Sequence, residues 1–553
     1  MTFLSNIVTS NLFKIKDQTP RIISIAIATA LTLYGTYSIA TRNSRRTIPA
    51  GLKEFPLVPG GLPFFGHLFQ VPELAALKFD EWHKQYGPVF RINMGGKSWV
   101  IIADPDVAHD ILKTKGAVTA GRPYNLFMFK YYALGEKGLG FTNPDKRWKR
   151  KRAIAQAILA PKGVASKSQV MQEEAARIAE LLISETVRNG KINVVKAMQL
   201  GGLNIIMQTC FGKCVGSLED PLADDIIECI TTSNKLSAPE ADIQTFLPIL
   251  GTILRTFTYN DNMNYNEEYM RKFIYEKRNP LYQRLIQEAL ESDKECFLKE
   301  IYKVKDENEL DDDDMIVFMV DLVTAGGDTI AISLAWSFLI LSHHPDLQKQ
   351  LHDEIDSFIT KKGRLPTYDE REAFPLLISV QKECIRFRPI SHLGVPHECT
   401  KDFEYRGHFI PEKTTIIYNT YSLNLNEDKF SNPKEFNPKR YLEDSRSLNA
   451  SVNGNAENRD QFVFGWGRRI CPGVHMSDVE MFYFWTRILA TATIESPLDN
   501  QGQPLYPNLN AYHDVGVAVE PYDHHLRFVK RTDERYRENS TARSCWPNSS
   551  TLC

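Results

Sequence analysis

The residue whose neighbours most favour chemistry is Cys471, within the segment FGWGRRICPG at 464–473. Cysteine binds a metal as the thiolate, and nearby positive charge stabilises that anion. Arg468 and Arg469 stand just upstream, and the two glycines of the segment let backbone N–H groups approach the sulfur. Pro472 suits the first turn of a following helix, whose N-terminus also favours an anion. A plain buried cysteine in a glycine turn explains none of these neighbours, so the segment predicts a loop that holds an ionised sulfur.

A second candidate is the sequence AGGDT at 325–329, inside the apolar stretch 315–341. Two glycines within a helix cost about 1 kcal/mol each relative to alanine, which indicates a packing or functional reason. We expect Gly326 to let the helix backbone pass close to a flat ligand. Asp328 and Thr329 place an acid beside a hydroxyl, a pair that can distort the helix locally and hold water. The alternative to a functional pair is that Asp328 is an ordinary aspartate of a long helix, with its hydrogen bonds made within the protein.

The Cys471 segment matches all five fixed positions of F-x-x-G-x-R-x-C-x-G, and so resembles the haem-binding signature of the cytochrome P-450 superfamily. The resemblance implies that the cofactor is haem b and that Cys471 is the axial ligand of its iron. It also implies that Phe464 covers the sulfur and that Arg469 pairs with a haem propionate. A thiolate ligand favours cleavage of the O–O bond of dioxygen.

The sequence AGGDT resembles the oxygen-activation motif of the same family. The resemblance implies that Asp328 and Thr329 relay protons during catalysis. Ile330 stands where a threonine or serine is usual, but the acid and the alcohol are both present.

Two further motifs support the resemblance. Glu383 and Arg386 match the family's E-x-x-R, and Arg440, in FNPKRY at 436–441, matches the partner segment. The resemblance implies a buried ion cluster of these three residues, which we interpret as structural. Losing one member would leave the others unpaired, so the cluster should be costly to break.

Trp148 and Arg152 match the family's W-x-x-x-R, in which both residues reach a haem propionate. His397 stands where many relatives have arginine, and we expect it to bond a propionate with a weaker, pH-dependent charge. The cations between Lys146 and Arg152 are either a solvated helix face or a docking patch for an acidic electron donor.

Substrate contacts are predicted from the aromatic-rich segment 124–141 and from the residues that follow Pro389. An aromatic stripe can equally be part of the core. The candidate pocket residues are Phe127, Phe129, Ala325, Leu393 and Val395.

The chain has 553 residues and a net charge of −2, which argues against a nucleic-acid binder held by its overall field. Its nine cysteines form neither a disulfide framework nor a zinc site, a pattern that fits reduced thiols facing the cytosol. Helical patterns dominate, with strand-like runs at 89–94, 98–103 and 414–419. The resemblance implies a mainly α fold with small β-sheets, a single large haem domain behind an N-terminal transmembrane helix. The charges within 315–341 favour a buried core helix over a second membrane span.

The N-terminal part of the chain predicts membrane attachment. After an N-terminal segment at 1–21, residues 22–40 carry no charge and as a helix would reach roughly 28 Å, close to the thickness of a bilayer core. A cleaved signal peptide is the alternative. A basic, proline-rich hinge at 41–66, a haem domain at 67–530 and a polar, disordered tail at 531–553 complete the predicted organisation. Residues 443–460 are expected to form a surface insertion.

Together these features predict a monooxygenase that hydroxylates a lipophilic small molecule with O2. No flavin domain or iron–sulfur motif is recognisable, so the expected electron donor is a separate NADPH-cytochrome P-450 reductase, with cytochrome b5 as a second donor. The expected location is the endoplasmic reticulum membrane, crossed once, with the catalytic domain in the cytosol. The alternatives are a peroxide isomerase or dehydratase that needs no reductase and a haem-thiolate sensor. Steroids, fatty acids, terpenoids and xenobiotics are the candidate substrates.

Overall fold

A computed structural model describes five helical residues near the N-terminus and most of the chain from residue 48 to residue 531. The described residues are Ser24, Ala28, Leu31, Thr32, Gly35, 48–217, 219–237, 243–247, 267–514, 518–522 and 524–531. Apart from those five residues, the predicted N-terminal segment and anchor lie outside the described residues, as does the tail from 532 to 553.

The described chain is mainly helical. Its α-helices are α1 (Ala75–Tyr86), α2 (Pro105–His109), α3 (Gly116–Thr119), α4 (Lys146–Ile158), α5 (Pro161–Ala165), α6 (Ser168–Asn189), α7 (Val194–Phe211), α8 (Pro221–Ser237), α9 (Ile243–Phe246), α10 (Glu267–Lys272), α11 (Asn279–Glu291), α12 (Phe297–Lys303), α13 (Asp312–Ser342), α14 (Pro345–Lys362), α15 (Pro375–Phe387), α16 (Thr420–Asn424), α17 (Leu448–Asn453) and α18 (Val474–Thr491). Short π-helical turns cover Asp110–Thr114, Phe127–Tyr132 and Phe273–Arg278, and 3₁₀ turns cover Tyr368–Ala373 and Gly467–Arg469.

The strands form four small sheets. They are β1 (Val89–Met94), β2 (Lys97–Ile102), β3 (Ile192–Asn193), β4 (His397–Glu398), β5 (Phe403–Tyr405), β6 (His408–Ile410), β7 (Thr415–Tyr418), β8 (Ala492–Glu495), β9 (Tyr512–Asp514), β10 (Val519–Pro521) and β11 (His525–Lys530). The largest sheet has the order β1-β2-β7-β4, in which β2 and β7 are parallel and the other pairs are antiparallel. The three predicted strands are therefore confirmed to within one or two residues.

Helix α13 is the central element of the fold. Asp311 caps its N-terminus, where its side chain accepts from the backbone N–H of Asp314 and the Asp314 side chain accepts in return. The helix is apolar on nearly all sides, as expected for a helix enclosed by others. Among the described residues it is the one helix long and apolar enough to cross a membrane, but 67% of its most apolar stretch is buried inside the protein. This burial supports the interpretation of a core helix.

Helix α7 packs closely on α13 at glycines of both helices. A Cβ added to Gly202 would lie 2.6 Å from the carbonyl oxygen of Gly327, and one added to Gly326 would lie 2.8 Å from the side chain of Ile206. No larger residue fits at Gly202 without moving a backbone. The crossing therefore fixes the height and rotation of α13 at the AGGDT sequence.

Three predicted boundaries need correction. The proline-rich hinge is attached to the body from Lys53 onward, since Lys53 pairs with His408 and Leu57 pairs with Arg91 of β1. The predicted insertion at 443–460 contains α17 and contributes buried residues to the protein interior. The residue that begins the predicted tail, Arg531, belongs to the folded domain because its guanidinium bonds both carboxylate oxygens of Asp356.

Candidate active site

The loop before α18 closes on itself around Cys471. The backbone N–H of Cys471 donates to the carbonyl of Phe464 at 2.8 Å, and the half-buried Phe464 thereby spans the loop. Gly465 and Gly467 have φ of 79° and 53°, in the left-handed region that favours glycine. A Cβ on Gly467 would also lie 2.3 Å from the carbonyl oxygen of Leu112. The glycines predicted to admit backbone groups are therefore required by the loop conformation itself.

The electrostatics of Cys471 differ in part from the sequence prediction. Burial raises the pKa of its thiol, while a hydrogen bond from the Gly473 backbone and the charge of Arg152 lower it. Arg468, expected to stabilise the thiolate, is exposed at the protein surface. Pro472 precedes the helix cap Gly473 and lies outside α18. The side chain of Cys471 is accessible although protein surrounds it, so it faces an internal space.

Arg469 and Trp148 form one stacked unit close to this loop. The Arg469 guanidinium carbon lies 4.4 Å from the centre of the Trp148 ring. The Trp148 indole N–H donates to the Leu139 carbonyl at 2.9 Å, and Arg469 donates to the carbonyls of Ala120, Leu139 and Thr142. Burial, together with the nearby charges of Arg122 and Arg152, lowers the pKa of Arg469 to about 8.

Arg122 is a site residue that the sequence analysis missed. It is buried, and it donates to the carbonyls of Gly140 at 2.9 Å, Val395 at 3.0 Å and Pro396 at 2.6 Å. Burial, with the charge of Arg152, lowers its pKa to about 10. It is the single charged residue between Lys115 and Lys130, and this isolation in an apolar stretch is the signal that could have identified it.

His397, in β4, lies beside these arginines but carries no charge near neutral pH. Its Nδ1 lies 2.8 Å from the carbonyl oxygen of Thr119, so Nδ1 holds the ring proton and donates it. Burial, with the charge of Arg122, holds the pKa of His397 well below its usual value of 6.5. The pH-dependent charge predicted for His397 is therefore not supported.

These residues fit haem b. Arg122, Arg152 and Arg469 are guanidinium groups largely or fully enclosed by protein, each bonded to backbone carbonyls. In the described part of the chain none of the three forms an ion pair with a carboxylate, and buried charges of one sign are stabilised by opposite charge. The two propionates of haem b supply that charge, and the accessible thiol of Cys471 suits its iron. Arg152 also bonds the carbonyl of Ile470, which joins the cations to the Cys471 loop.

The alcohol of α13 lies on the accessible face of the helix, and the acid beside it is turned toward α7. Thr329 and Ala325, one turn apart, are both exposed although α13 crosses the core, so this face borders an internal space. The Thr329 hydroxyl donates to the Ala325 carbonyl at 2.7 Å. The Asp328 carboxylate accepts from the side-chain amide of Gln199 at 3.0 Å, and burial raises the pKa of Asp328 above its usual value. A carboxyl with a raised pKa holds a proton more readily at neutral pH.

Two predicted contact residues have other roles. A Cβ on Gly326 would lie 2.8 Å from the side chain of Ile206, so Gly326 serves the packing of α7 on α13. Successive helix residues point about 100° apart, which explains why Ala325 is exposed and its neighbour is not. Phe127 is fully buried, with its ring centre 6.2 Å from that of Tyr132, and is therefore core.

The remaining pocket candidates differ in how exposed they are. Leu393 and Val395 are half-buried, on the segment whose carbonyls accept from Arg122. Phe129 is buried, and its ring packs 5.5 Å from that of the exposed Tyr124.

Glu383, Arg386 and Arg440 form one buried cluster. Arg386 donates to both Glu383 carboxylate oxygens, at 2.7 and 2.8 Å, and Arg440 donates to one of them at 3.0 Å. Arg386 also donates to the carbonyls of Asn424 and Pro433, which ties α15 to the segment that follows α16. The hydrogen bonds of the cluster join α15 to α16 and to residues 431–437, which supports the structural role predicted for it.

The basic run of α4 is mostly paired within the protein. Arg147 bonds Asp311 and Asp314, Arg150 bonds Glu309 at 2.5 Å, and the fully buried Lys151 lies 3.0 Å from Asp314. These pairs fasten α4 to the start of α13. Lys149 remains exposed, one turn before Arg152 on the same helix.

Comparisons with known proteins agree with this geometry. The sequence model of the family described as Cytochrome P450 matches residues 56–524. The chain is 26% identical over 516 residues to cytochrome P450 monooxygenase verL of Clonostachys rogersoniana, covering 92% of this chain and 91% of that one. It is 25% identical over 527 residues to tryptamine 4-monooxygenase of Psilocybe cyanescens, covering 92% and 98%. A zebra fish cytochrome P450 solved with progesterone has a similar fold, with a TM-score of 0.67, 22% identity, and coverage of 82% of this chain and 99% of that one.

Proposed function

The chain belongs to the cytochrome P450 family and is a monooxygenase with haem b as its cofactor, and from this premise we propose that it hydroxylates a lipophilic small molecule with electrons from a separate NADPH-dependent reductase. The observation that carries the proposal is the intact acid–alcohol pair, with Thr329 on the accessible face of α13. A sensor or a reductase-independent isomerase has no need of this pair.

In this mechanism the protein holds the cofactor and controls protons. Haem held by a thiolate supplies the capacity to cleave O2 and oxidise a C–H bond. Cys471 would bind the iron, and Arg122, Arg152 and Arg469 would hold the propionates. Trp148 would support Arg469 by stacking on it, and His397 would line the site as a neutral ring.

Asp328 would take protons from solvent and pass them toward Thr329, whose hydroxyl can donate once it leaves the Ala325 carbonyl. The raised pKa of Asp328 suits a carboxyl that must be protonated and deprotonated in each cycle. Gln199 holds the carboxylate by one hydrogen bond, which leaves its second oxygen available.

The substrate is proposed to be apolar. Ala325, Leu393 and Val395 would offer small or aliphatic contacts, and Phe129 would add an aromatic one. Such a lining favours steroid-like compounds or xenobiotics, with fatty acids and terpenoids as further candidates. The zebra fish neighbour solved with progesterone is a precedent for a steroid in this fold.

The electron donor is proposed to dock on a basic surface formed by Lys115, Lys149 and Arg468, all exposed. Lys149 lies on the helix that carries Arg152, and Arg468 lies three residues before Cys471, so the surface adjoins the thiolate loop. An acidic donor approaching it would be guided by complementary charge. NADPH-cytochrome P-450 reductase of the endoplasmic reticulum is the proposed partner, with cytochrome b5 as a second donor. A single membrane-spanning helix at 22–40 would keep the two proteins on one cytosolic surface.

Reconstitution tests this function. The full-length protein with reductase, NADPH and a library of lipophilic compounds should consume NADPH and yield hydroxylated product, and binding compounds should shift the haem spectrum. Turnover of an organic hydroperoxide without reductase would support the isomerase alternative instead. Ligand binding with no consumption of NADPH would support the sensor.

A further inference from the structure

The segment 138–142 lies between an acidic residue of α13 and the cations of the proposed haem site. On one side, the carboxylate of Asp321 accepts from the backbone N–H of Leu139 at 2.6 Å and from that of Gly140 at 3.4 Å. The other carboxylate oxygen accepts from the Tyr132 hydroxyl at 3.1 Å. Asp321 therefore fixes the N–H edge of this segment to the central helix.

The carbonyl edge of the same segment faces the cations. The Leu139 carbonyl accepts from the Trp148 indole at 2.9 Å and from Arg469 at 3.2 Å. The Gly140 carbonyl accepts from Arg122 at 2.9 Å. The peptide group between Leu139 and Gly140 thus has an anion at its N–H end and, at its C=O end, the Arg469 cation and the Trp148 indole, an arrangement in which each hydrogen bond polarises the next.

Gly138 shows independently that the segment 138–142 packs closely on α13. A Cβ at Gly138 would lie 2.6 Å from a carboxylate oxygen of Asp321 and 2.9 Å from the side chain of Val317. Any larger residue would push the segment away from α13. The backbone can reach Asp321 because residue 138 has no side chain.

We propose that Asp321 is a positioning residue that holds the peptide groups of 138–140 so that Arg122, Trp148 and Arg469 stand where the haem propionates bind. This inference rests on the haem site of the proposed function. Asp321 itself touches neither the cofactor nor the reacting atoms. It acts through the backbone, and the Tyr132 hydroxyl extends the link to the aromatic segment predicted to border the substrate.

The test compares Asp321→Asn with Asp313→Asn in the full-length, haem-loaded protein. Asp313 lies on the same helix but is exposed, so its replacement controls for loss of one negative charge from α13. In Asp321→Asn the neutral amide oxygen accepts from the two N–H groups more weakly than the charged carboxylate does. We expect amide hydrogen exchange at 138–142 to quicken at least tenfold and haem transfer to apomyoglobin to quicken about tenfold, with the control unchanged.

The pattern of exchange separates positioning from general destabilisation. A general loss of stability would quicken exchange in α18 as well, whereas a positioning role confines the increase to 138–142. Unchanged exchange and haem transfer in Asp321→Asn, or an increase spread equally over α18, would overturn the inference. If Asp321→Asn fails to fold, Tyr132→Phe is tested in its place. This variant removes one of the three hydrogen bonds to the Asp321 carboxylate and should give a smaller increase in amide hydrogen exchange at 138–142. Failure of the proposed function would appear in the unmodified protein, which would then hold no haem.

Discussion

The hydroxyl of Thr329 donates to the carbonyl of Ala325, one turn earlier on the central helix, at 2.7 Å. Both residues face an internal space, although the helix that carries them crosses the core. The hydroxyl is therefore held ready by a bond that it can exchange for a bond to a ligand or water.

Replacing Thr329 by alanine should uncouple NADPH consumption from product formation. The hydroxyl that passes a proton is lost while the helix remains, so product per NADPH should fall about tenfold and released hydrogen peroxide should rise. Thr329→Ser should restore most of the coupling. Ser337→Ala is the matched control, because Ser337 makes the same bond to a carbonyl one turn earlier, at 2.7 Å, but is buried. Unchanged coupling in Thr329→Ala would remove Thr329 from the proton path.

Replacing Glu383 by glutamine should destabilise the whole domain. The substitution leaves the guanidinium groups of Arg386 and Arg440 buried without their carboxylate, a loss that typically costs about 3–5 kcal/mol. Denaturant unfolding measures the change in the free energy of unfolding. Arg364→Ala, which breaks an exposed pair with Glu370, is the control and should change little. A Glu383 variant as stable as this control would contradict the structural role of the cluster.

Replacing Glu480 by glutamine should stabilise the protein, and more so at higher pH. Glu480 is buried in α18, and burial raises its pKa to about 8 from the usual 4.5. Between these values the folded protein holds the proton and the unfolded chain releases it, so stability falls as pH rises through this window. At pH 7 the gain in Glu480→Gln should be on the order of 3 kcal/mol, since one pKa unit corresponds to about 1.4 kcal/mol.

Thermal unfolding at pH 5 and pH 8 measures this effect. The difference between Glu480→Gln and the unmodified protein should widen toward pH 8 and shrink toward pH 5. The exposed Glu443→Gln should show no such trend. A difference independent of pH would mean that Glu480 is already ionised in the folded protein.

Reversing the charge at Arg468 or Lys149 should weaken docking of the reductase. Both side chains are exposed, Arg468 in the Cys471 loop and Lys149 on the helix that carries Arg152, so Arg468→Glu and Lys149→Glu should raise the KM for reductase about tenfold at low salt and less at high salt. Binding of a lipophilic ligand should not change. Lys191→Glu, exposed beyond the end of α6, is the control. Equal KM values for all three variants would place the docking surface elsewhere.

Much of the site could be predicted because its motifs are local in sequence. The Cys471 loop, the acid–alcohol pair and the E-x-x-R pair each lie within ten residues, so spacing alone brings their side chains together. The packing of Gly326 on Ile206 was not predicted because the sequence does not give the rotation of a helix, and Ile206 comes from a distant helix. Arg122 was missed because its partners are backbone carbonyls, for which side-chain patterns carry no signal.

The basic run of α4 likewise could not be interpreted from the sequence alone. Seen in sequence it is a row of cations, but Asp311 and Asp314, more than 160 residues away, neutralise much of it in the fold. Only long-range packing decides which charges remain for a partner. The attached hinge and the ordered Arg531 were likewise missed, because each is held by a contact with a remote strand or helix.

The most direct test of the account is the absorption spectrum of the reduced, carbon-monoxide-bound protein. With the Cys471 thiolate on the iron, the unmodified protein should show the red-shifted band that sulfur ligation gives. Cys471→Ala should lose that band, while Cys384→Ala, which alters a buried cysteine away from the loop, should keep it. An unmodified protein that binds no haem, or a Cys471→Ala variant that keeps the red-shifted band, would contradict the account.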